Sequence, residues 1–448
     1  MLKFHKLNAE VIMSGLICIN LDITSTDMKF YLTIFFSFLI SSTVFCQVDT
    51  VQKVIPGREN SPAQQNKPYV ILISADGYRY DYTQLYNASH LKALSSSGVK
   101  AESMLPSYPS VTFPNHYSIV TGLYPSHEGL VNNAFYDTNT KSFFYYKSKT
   151  GTDAVWYNGG TPLWVLAEQQ KMLSASFYWV GSEAAVHGIY PTYYYKYNEK
   201  ISIHQRIQTV VNWLNLPPEK RPHLITFYFP QVDHEGHKHG PNSPEVANAV
   251  HLIDSAVFEL TKAVKTTGLD VNFVFVSDHG MTKADIANPI PMPGSIDTSK
   301  FIVSGDGLLV ELYAKDPAYI QSTYASLQQL ATKDYSVYLK TNVPERLHYG
   351  ATDDWFNRIG DILLIPNWPK VFSLYGKKMD PGWHGYDATV VKDMHATFYA
   401  WGPAFKQHLT IAPFKNVDVF PMINEILGLT YTGKVDGTKK LADEVLVK

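Results

Sequence analysis

The stretch 67 KPYVILISADGYRYD 81 decides the fold. It is an apolar run ending in Asp76, the pattern of a parallel strand buried on both faces whose carboxyl end carries a functional residue. The same grammar recurs twice. Residues 223 HLITFYFPQVDHEGH 237 run from a strand into Asp233, and 271 VNFVFVSDHGM 281 runs from a strand into Asp278 and His279. Three such strand ends are expected to meet at one edge of one sheet.

Helical patterns fill the intervals. In 244 PEVANAVHLIDSAVFELTKAVKTTG 268, Val246, Val250, Ile253, Val257, Leu260 and Val264 recur at helical spacing and Gly268 is the stop signal. Strands alternating with helices predict an α/β fold, with a mostly parallel central sheet covered by helices on both faces. From about Phe135 to Tyr197 the chain is dense in aromatics (FFYYK, WYNGG, FYWVG, YPTYYYKYN) and weaker in period. It reads as an aromatic-rich insertion whose rings pack a core or wall a cleft. Residues 48–66 are polar with Pro and Gly and read as a linker. A length of 448 residues then leaves 67–448 as one large domain.

The N-terminal residues read as targeting rather than fold. Met28-Lys29 opens the apolar run YLTIFFSFLISSTVFC, Tyr31 to Cys46, which suits a secretory signal better than a membrane span. Residues 1–27 are expected to precede the true start, 1–47 to form the extension and signal, and cleavage to fall near Cys46 or Gln47. Thr-Val-Phe before Cys46 lacks the small residue expected ahead of a lipidated cysteine. The two cysteines, Cys18 and Cys46, both lie in or before the signal, so the exported chain is expected to have no disulfide and to depend on its core. That usage fits a bacterial periplasm better than a compartment of cysteine-rich frameworks. The expected localisation is therefore exported, periplasmic or secreted, with no transmembrane span after signal removal. A net charge of −2 and an aromatic share of 14% give no polycationic face for nucleic acid and no acidic tail. The expected partner is a small-molecule substrate, and nothing in the sequence sets an oligomeric state.

Asp76, Asp233 and Asp278 at one sheet edge would repel one another and raise each other's pKa. A divalent metal resolves the conflict. His279 beside Asp278, His237 four residues after Asp233, and His384 between Gly382 and Gly385 supply imidazoles, and carboxylate plus imidazole without thiolate suits Zn²⁺ in a catalytic site, other divalent ions being possible. Each of these residues alone reads as a turn, cap or core residue; together they do not. Paired metals clamp the oxygens of an in-line displacement at phosphorus and lower the pKa of a nearby hydroxyl. Thr112, in 109 PSVTFPNHYSIVTGLYPSHEGLVNN 133, is the hydroxyl that such a site would activate. As a plain alternative it caps the helix that Pro114 begins, and the two roles are compatible. His116, His234, His239, His251 and His395 are read as structural or surface histidines.

Together, PSVTFPNHYSIVTGLYPSHEGLVNN, DHEGHKHGP, VSDHGM and HGYD followed by M-x-x-x-F-x-x-x-GP resemble the nucleotide pyrophosphatase/phosphodiesterase family of the alkaline phosphatase superfamily, over roughly residues 68–430. The resemblance implies an alkaline-phosphatase-like core and a phospho-threonine mechanism with Thr112 as nucleophile. It implies two zinc ions, one held by Asp76, Asp278, His279 and Thr112, the other by Asp233, His237 and His384. Asn133, with the backbone N–H of Thr112 or Phe113, would hold a phosphate oxygen. Phe113 and Tyr228 resemble pocket positions, and Tyr194 or Tyr197 would face Phe113 across a nucleobase. The implied activity is hydrolysis of phosphodiester or pyrophosphate bonds, of nucleotides first, releasing nucleoside 5'-monophosphates. Glycerophosphodiesters or choline lipids are the alternative on the same site. A phosphate monoesterase would need added cations, for which Arg79 and Arg358 are the nearest. A sulfatase lacks its modified residue here, and a silent metal-binding protein would have lost a ligand.

Overall fold

The computed structural model describes residues 50–331, 333–374 and 379–448, and the expected secretory signal with its cleavage point lies outside them. A nine-stranded sheet is built from β1 (Lys53–Val54), β2 (Tyr69–Ala75), β3 (Val99–Ala101), β4 (Ser174–Phe177), β5 (Tyr193–Tyr194), β6 (Leu224–Phe229), β7 (Val271–Val276), and two later strands. Between β7 and those two strands lie β8 (Phe301–Gly305), β9 (Val310–Ala314), β10 (Tyr335–Leu339) and β11 (Ile362–Pro366) of a separate four-stranded antiparallel sheet. The last strands of the main sheet are β12 (Phe398–Trp401) and β13 (Leu409–Ile411). Spatial order in the main sheet is β1-β5-β4-β6-β2-β7-β12-β3-β13.

The block β5-β4-β6-β2-β7 is parallel throughout, and β12 opposes β7. In register, Ser74 lies beside Val276 and Ala75 beside Phe229, so β2, β6 and β7 end level with one another. All seven residues of β2 are buried. Val70 and Leu72 pack into one core with α2 (Thr112–Thr121) and α6 (Val419–Leu427). Ile71 and Ile73 pack into another with α1 (Ser89–Ser97), α3 (Ile203–Leu214) and α5 (Pro244–Lys265). Two-sided burial is why this strand shows no alternation. The expected α/β architecture with helices on both faces is what the chain adopts.

The helix read from 244–268 runs Pro244–Lys265, with the Ser243 hydroxyl accepting from Val246 N–H and Gly268 at φ 72° beyond its end. Two segments do more than their composition suggested. The aromatic-rich region supplies β4 and β5 to the central sheet. Within the stretch read as a linker, β1 pairs antiparallel with β5, and the buried Asn60 donates to the carbonyls of Pro218 and Arg221 while accepting from Leu173 N–H. Side-chain amides can satisfy several backbone groups at once, so this polar stretch is bound to the domain surface.

Candidate active site

Each expected ligand arrives from the level ends of β2, β6 and β7 or from a segment packed against them. Asp76 follows β2, and Asp278 and His279 follow β7. After β6, Pro230 starts α4 (Gln231–His239), which places Asp233 and His237 one turn apart on one face. His384 comes from the strand pair Gly382–Trp383 and Thr282–Lys283. Gly382 lies so close to α4 that a Cβ there would overlap the Gly236 carbonyl. Gly77, at φ 65°, turns its N–H onto Asp278 Oδ1 at 3.1 Å.

The ligating atoms fall into two overlapping groups. Asp76, Asp278 and His279 offer atoms within 4.8 Å of one another, and so do Asp233, His279 and His384. His237 joins the second group, its Nε2 3.0 Å from His384 Nε2 and 3.4 Å from Asp233 Oδ1. Two buried carboxylate oxygens, Asp76 Oδ1 and Asp233 Oδ1, have no hydrogen-bond donor, and Asp278 Oδ2 has only His116 Nδ1 at 3.2 Å. Unpartnered buried carboxylate is costly, and it marks a place for a cation. The imidazoles agree. His279 Nδ1–H donates to Gly280 O at 2.8 Å, His237 Nδ1–H to Gly382 O at 2.9 Å and His384 Nδ1–H to Ser110 O at 3.0 Å. Each Nε2 lone pair is thereby left for the centre, the arrangement that fixes metal-binding tautomers. The donor set fits a pair of divalent ions.

Charges in the site are strongly perturbed. Burial, reinforced by Asp278 and Asp233, holds the Asp76 carboxyl well above the usual carboxylate range. Burial acts the same way on Asp278, but the His279 and His116 rings outweigh it and hold that carboxyl well below its ordinary value. Burial and then the neighbouring His279 and His237 push His384 well below the imidazole range. Such opposed shifts in one cleft are typical of functional sites.

Thr112 is the first residue of α2, and the preceding Val111 occupies the cap position, where it has no side-chain oxygen to offer. The cap reading of Thr112 therefore fails. Its Oγ1 instead lies 3.3 Å from His279 Nε2, the imidazole common to both groups. Asn133 is adjacent, its Oδ1 accepting from Phe113 N–H at 3.0 Å. Phe113 meets Tyr146, with ring centroids 5.1 Å apart. Tyr228 does something unforeseen: its hydroxyl donates to Asp76 Oδ2 at 2.5 Å, while its ring meets Tyr197 at 6.0 Å. Tyr197 thus stands at the site, half-exposed, with its hydroxyl on Glu199. Tyr194 does not join it: it sits in β5 between Lys53 of β1 and Ser176 of β4, and its ring stacks on Tyr190 at 5.2 Å.

Sequence reading missed Tyr146, Lys147 and His116. The first two follow a hairpin of Ala134–Asp137 and Ser142–Tyr145 that returns the chain to Asn133, whose carbonyl accepts from Tyr146 N–H. The other histidines lie elsewhere: His234 faces Glu199, His239 faces Glu235, His251 bonds Tyr86 O, and His395 bridges Ser103 and Ala388. Arg79 is bound by Asp81 and Arg358 by Asp137 and three carbonyls.

Comparison with known proteins agrees with this geometry. Residues 70–387 match the family described as type I phosphodiesterase / nucleotide pyrophosphatase. Mouse ectonucleotide pyrophosphatase/phosphodiesterase family member 1 is 34% identical over 382 residues, 82% of this chain and 42% of that protein, so the chain spans about two fifths of that relative's length. A bovine bis(5'-adenosyl)-triphosphatase is 32% identical over 382 residues, 84% of this chain and 82% of its own length. The solved structure of murine ectonucleotide pyrophosphatase/phosphodiesterase 5 superposes with a TM-score of 0.78 at 27% identity, covering 84% of this chain and 100% of that one. An inactive Thr→Ala variant of that murine protein, in complex with AMP, gives 0.78 at 26% identity over 85% of this chain and 100% of that one. With a site of this geometry on this fold, the chain belongs to the type I phosphodiesterase / nucleotide pyrophosphatase family of the alkaline phosphatase superfamily.

Proposed function

We propose that the protein hydrolyses phosphodiester or pyrophosphate bonds of nucleotides, releasing nucleoside 5'-monophosphates through a phospho-threonine intermediate on Thr112. The carrying observation is the position of Thr112 Oγ1, 3.3 Å from the imidazole shared by the two acidic groups. Asp76, Asp278 and His279 would hold one zinc ion beside Thr112, and Asp233, His237 and His384 a second; other divalent ions suit the same donors. When bound, such ions neutralise the phosphoryl oxygens and lower the pKa of the threonine hydroxyl.

The chain's own groups then have definite tasks. Thr112 Oγ1 attacks phosphorus in line; the P–O bond to threonine forms as the bond to the leaving oxygen breaks, and water later cleaves the ester to restore the hydroxyl. Asn133 gives its Oδ1 to Phe113 N–H, so its amide N–H₂ is the donor left for a non-bridging oxygen. The N-terminus of α2 adds the positive end of its dipole. Phe113 and Tyr146 form one aromatic wall for the organic group, and Tyr197 beside Tyr228 offers another flat face.

Two features separate nucleotides from the alternatives. Lys147 Nζ lies over the Tyr146 ring, 5.1 Å from its centroid, so a quaternary ammonium bound against that ring would meet a like charge. Arg79 and Arg358 are committed to carboxylates and carbonyls, which leaves neither for the extra charge of a monoester. The same family of relatives includes a bis(5'-adenosyl)-triphosphatase, consistent with nucleotide substrates. We infer export from the apolar run Tyr31–Cys46, and mass spectrometry of the mature N-terminus tests it.

The test is a comparison of kcat/KM for nitrophenyl thymidine monophosphate, nitrophenyl phosphate, ATP, a dinucleotide and glycerophosphocholine. Nucleotide diesters and anhydrides should lead. Equal rates on the nitrophenyl diester and monoester would remove the diesterase assignment, and a tenfold lead for the choline ester would remove the nucleotide one.

A further inference from the structure

His116 is fully buried and stands one turn after Thr112 in α2. Its Nδ1 is 3.0 Å from the Thr112 carbonyl and 3.2 Å from Asp278 Oδ2, and its Nε2 is 2.8 Å from Ser74 Oγ. A core histidine needs only that its two nitrogens find partners. What distinguishes this ring is who the partners are. One is the backbone of the nucleophile, one is an otherwise undonated oxygen of a proposed metal-binding carboxylate, and one is the hydroxyl two residues before Asp76 on β2.

Both groups at Nδ1 are acceptors, so Nδ1 carries the proton, and the Ser74 hydroxyl serves Nε2. The ring has little freedom to turn away: Trp179 meets it edge-on with centroids 5.2 Å apart while donating Nε1–H to the His116 carbonyl, and the Tyr228 ring lies 5.3 Å away on another side. Tyr228 in turn holds Asp76. The helix that carries the nucleophile is therefore tied, through one imidazole, to both strands that carry the first acidic group.

We propose that His116 is a positioning residue, which sets the distance between Thr112 and the Asp76–Asp278 side of the site and orients Asp278 for its ion. This rests on the dimetal hydrolase reading above. A catalytic group would touch the reacting atoms; His116 acts through Thr112 and Asp278. Loss of a residue that orients a metal ligand weakens metal affinity or activity by roughly 10–100-fold. Orientation of the attacking atom governs the chemical step more than ground-state binding, so kcat should fall while KM holds.

Two near-isosteric variants separate the two arms of the ring. His116→Asn keeps a donor near Nδ1 and loses the Ser74 link, whereas His116→Gln keeps a group near Nε2 and loses the donor to Thr112 and Asp278. Each is purified, loaded with Zn²⁺, and measured for kcat and KM on nitrophenyl thymidine monophosphate, for zinc retention against a graded chelator, and for Tm. We expect His116→Gln to lose about 10–100-fold in kcat and to release zinc at about tenfold lower chelator, with KM within about twofold, and His116→Asn to recover most of both. The proposal is overturned if both variants match wild type, or if both lose activity equally and in step with Tm. Should neither variant fold, ring ¹⁵N NMR of the zinc-loaded wild type carries the test: an Nδ1–H tautomer of His116 supports the proposal, and an Nε2–H tautomer overturns it. An inactive wild type would sink the hydrolase reading itself; an active wild type with indifferent variants sinks only this inference.

Discussion

At the scale of single residues, the proposed chemistry and choice of substrate rest on two side chains. Thr112→Ala should lower kcat on the nitrophenyl diester by on the order of 10³-fold or more, because the covalent route is lost. Zinc content by elemental analysis should stay at the wild-type level, since the carboxylates and imidazoles remain. Zinc loss in step with activity would mean that Thr112 serves as a ligand rather than a nucleophile. Lys147→Ala should narrow the preference for ATP over glycerophosphocholine by roughly two- to fivefold, the size of an exposed cation's effect over a ring. A preference unchanged in the kcat/KM ratio would show that the lysine does not face the substrate. All three acidic strand ends and Thr112 were legible as residues, because strand-end aspartates and a hydroxyl before Phe-Pro carry their local context with them. Tyr146, and Tyr197 rather than Tyr194, were not, because which tyrosine lies at the site is settled by a hairpin and a strand pairing that no local period records. His116 reads as ordinary packing for the same reason.

Among elements, the contact between α4 and the Gly382–Trp383 strand decides whether His237 and His384 can converge. Gly382→Ala forces the two backbones apart, an overpacking that costs about 1–3 kcal/mol. We expect a lower Tm and, more tellingly, loss of about half the bound zinc, because the Asp76–Asp278 side does not depend on that contact. Full zinc content in the variant would refute the assignment of His384. The main strands and α5 were readable from period and stop signals, as their bounds and the Ser243 cap show. β1 was not, since a two-residue edge strand leaves no pattern in a polar stretch. Nor was the β8–β11 sheet, which lies between the motifs and carries none of them.

Across the whole molecule, that second sheet is joined to the catalytic segment through a buried acid. Glu311 on β9 accepts from Tyr349 O–H and Gly360 N–H, and Tyr349 O–H also reaches the carbonyl of Val131, two residues before Asn133. Burial pushes the Glu311 carboxyl up to about 8. Its folded pKa exceeds its unfolded one, so the unfolded chain binds fewer protons between roughly pH 4.5 and 8, and stability should fall as pH rises through that window, by at most about 1.4 kcal/mol per unit. Glu311→Gln should flatten that slope in urea midpoints measured from pH 5 to 8 with chelator present. A slope unchanged by the substitution would place the titration elsewhere.

The three imidazoles at the centre are held by the main-chain oxygens of Gly280, Gly382 and Ser110. Aim written into peptide carbonyls survives the drift of neighbouring side chains, since every residue type brings the same oxygen. In a saturation scan of this protein, the ring-holding positions should therefore fail for reasons of their own: Gly280 and Gly382 because the backbone path leaves no room for a Cβ, and Ser110 because its buried hydroxyl donates to Tyr386 O and accepts from Gly385 N–H.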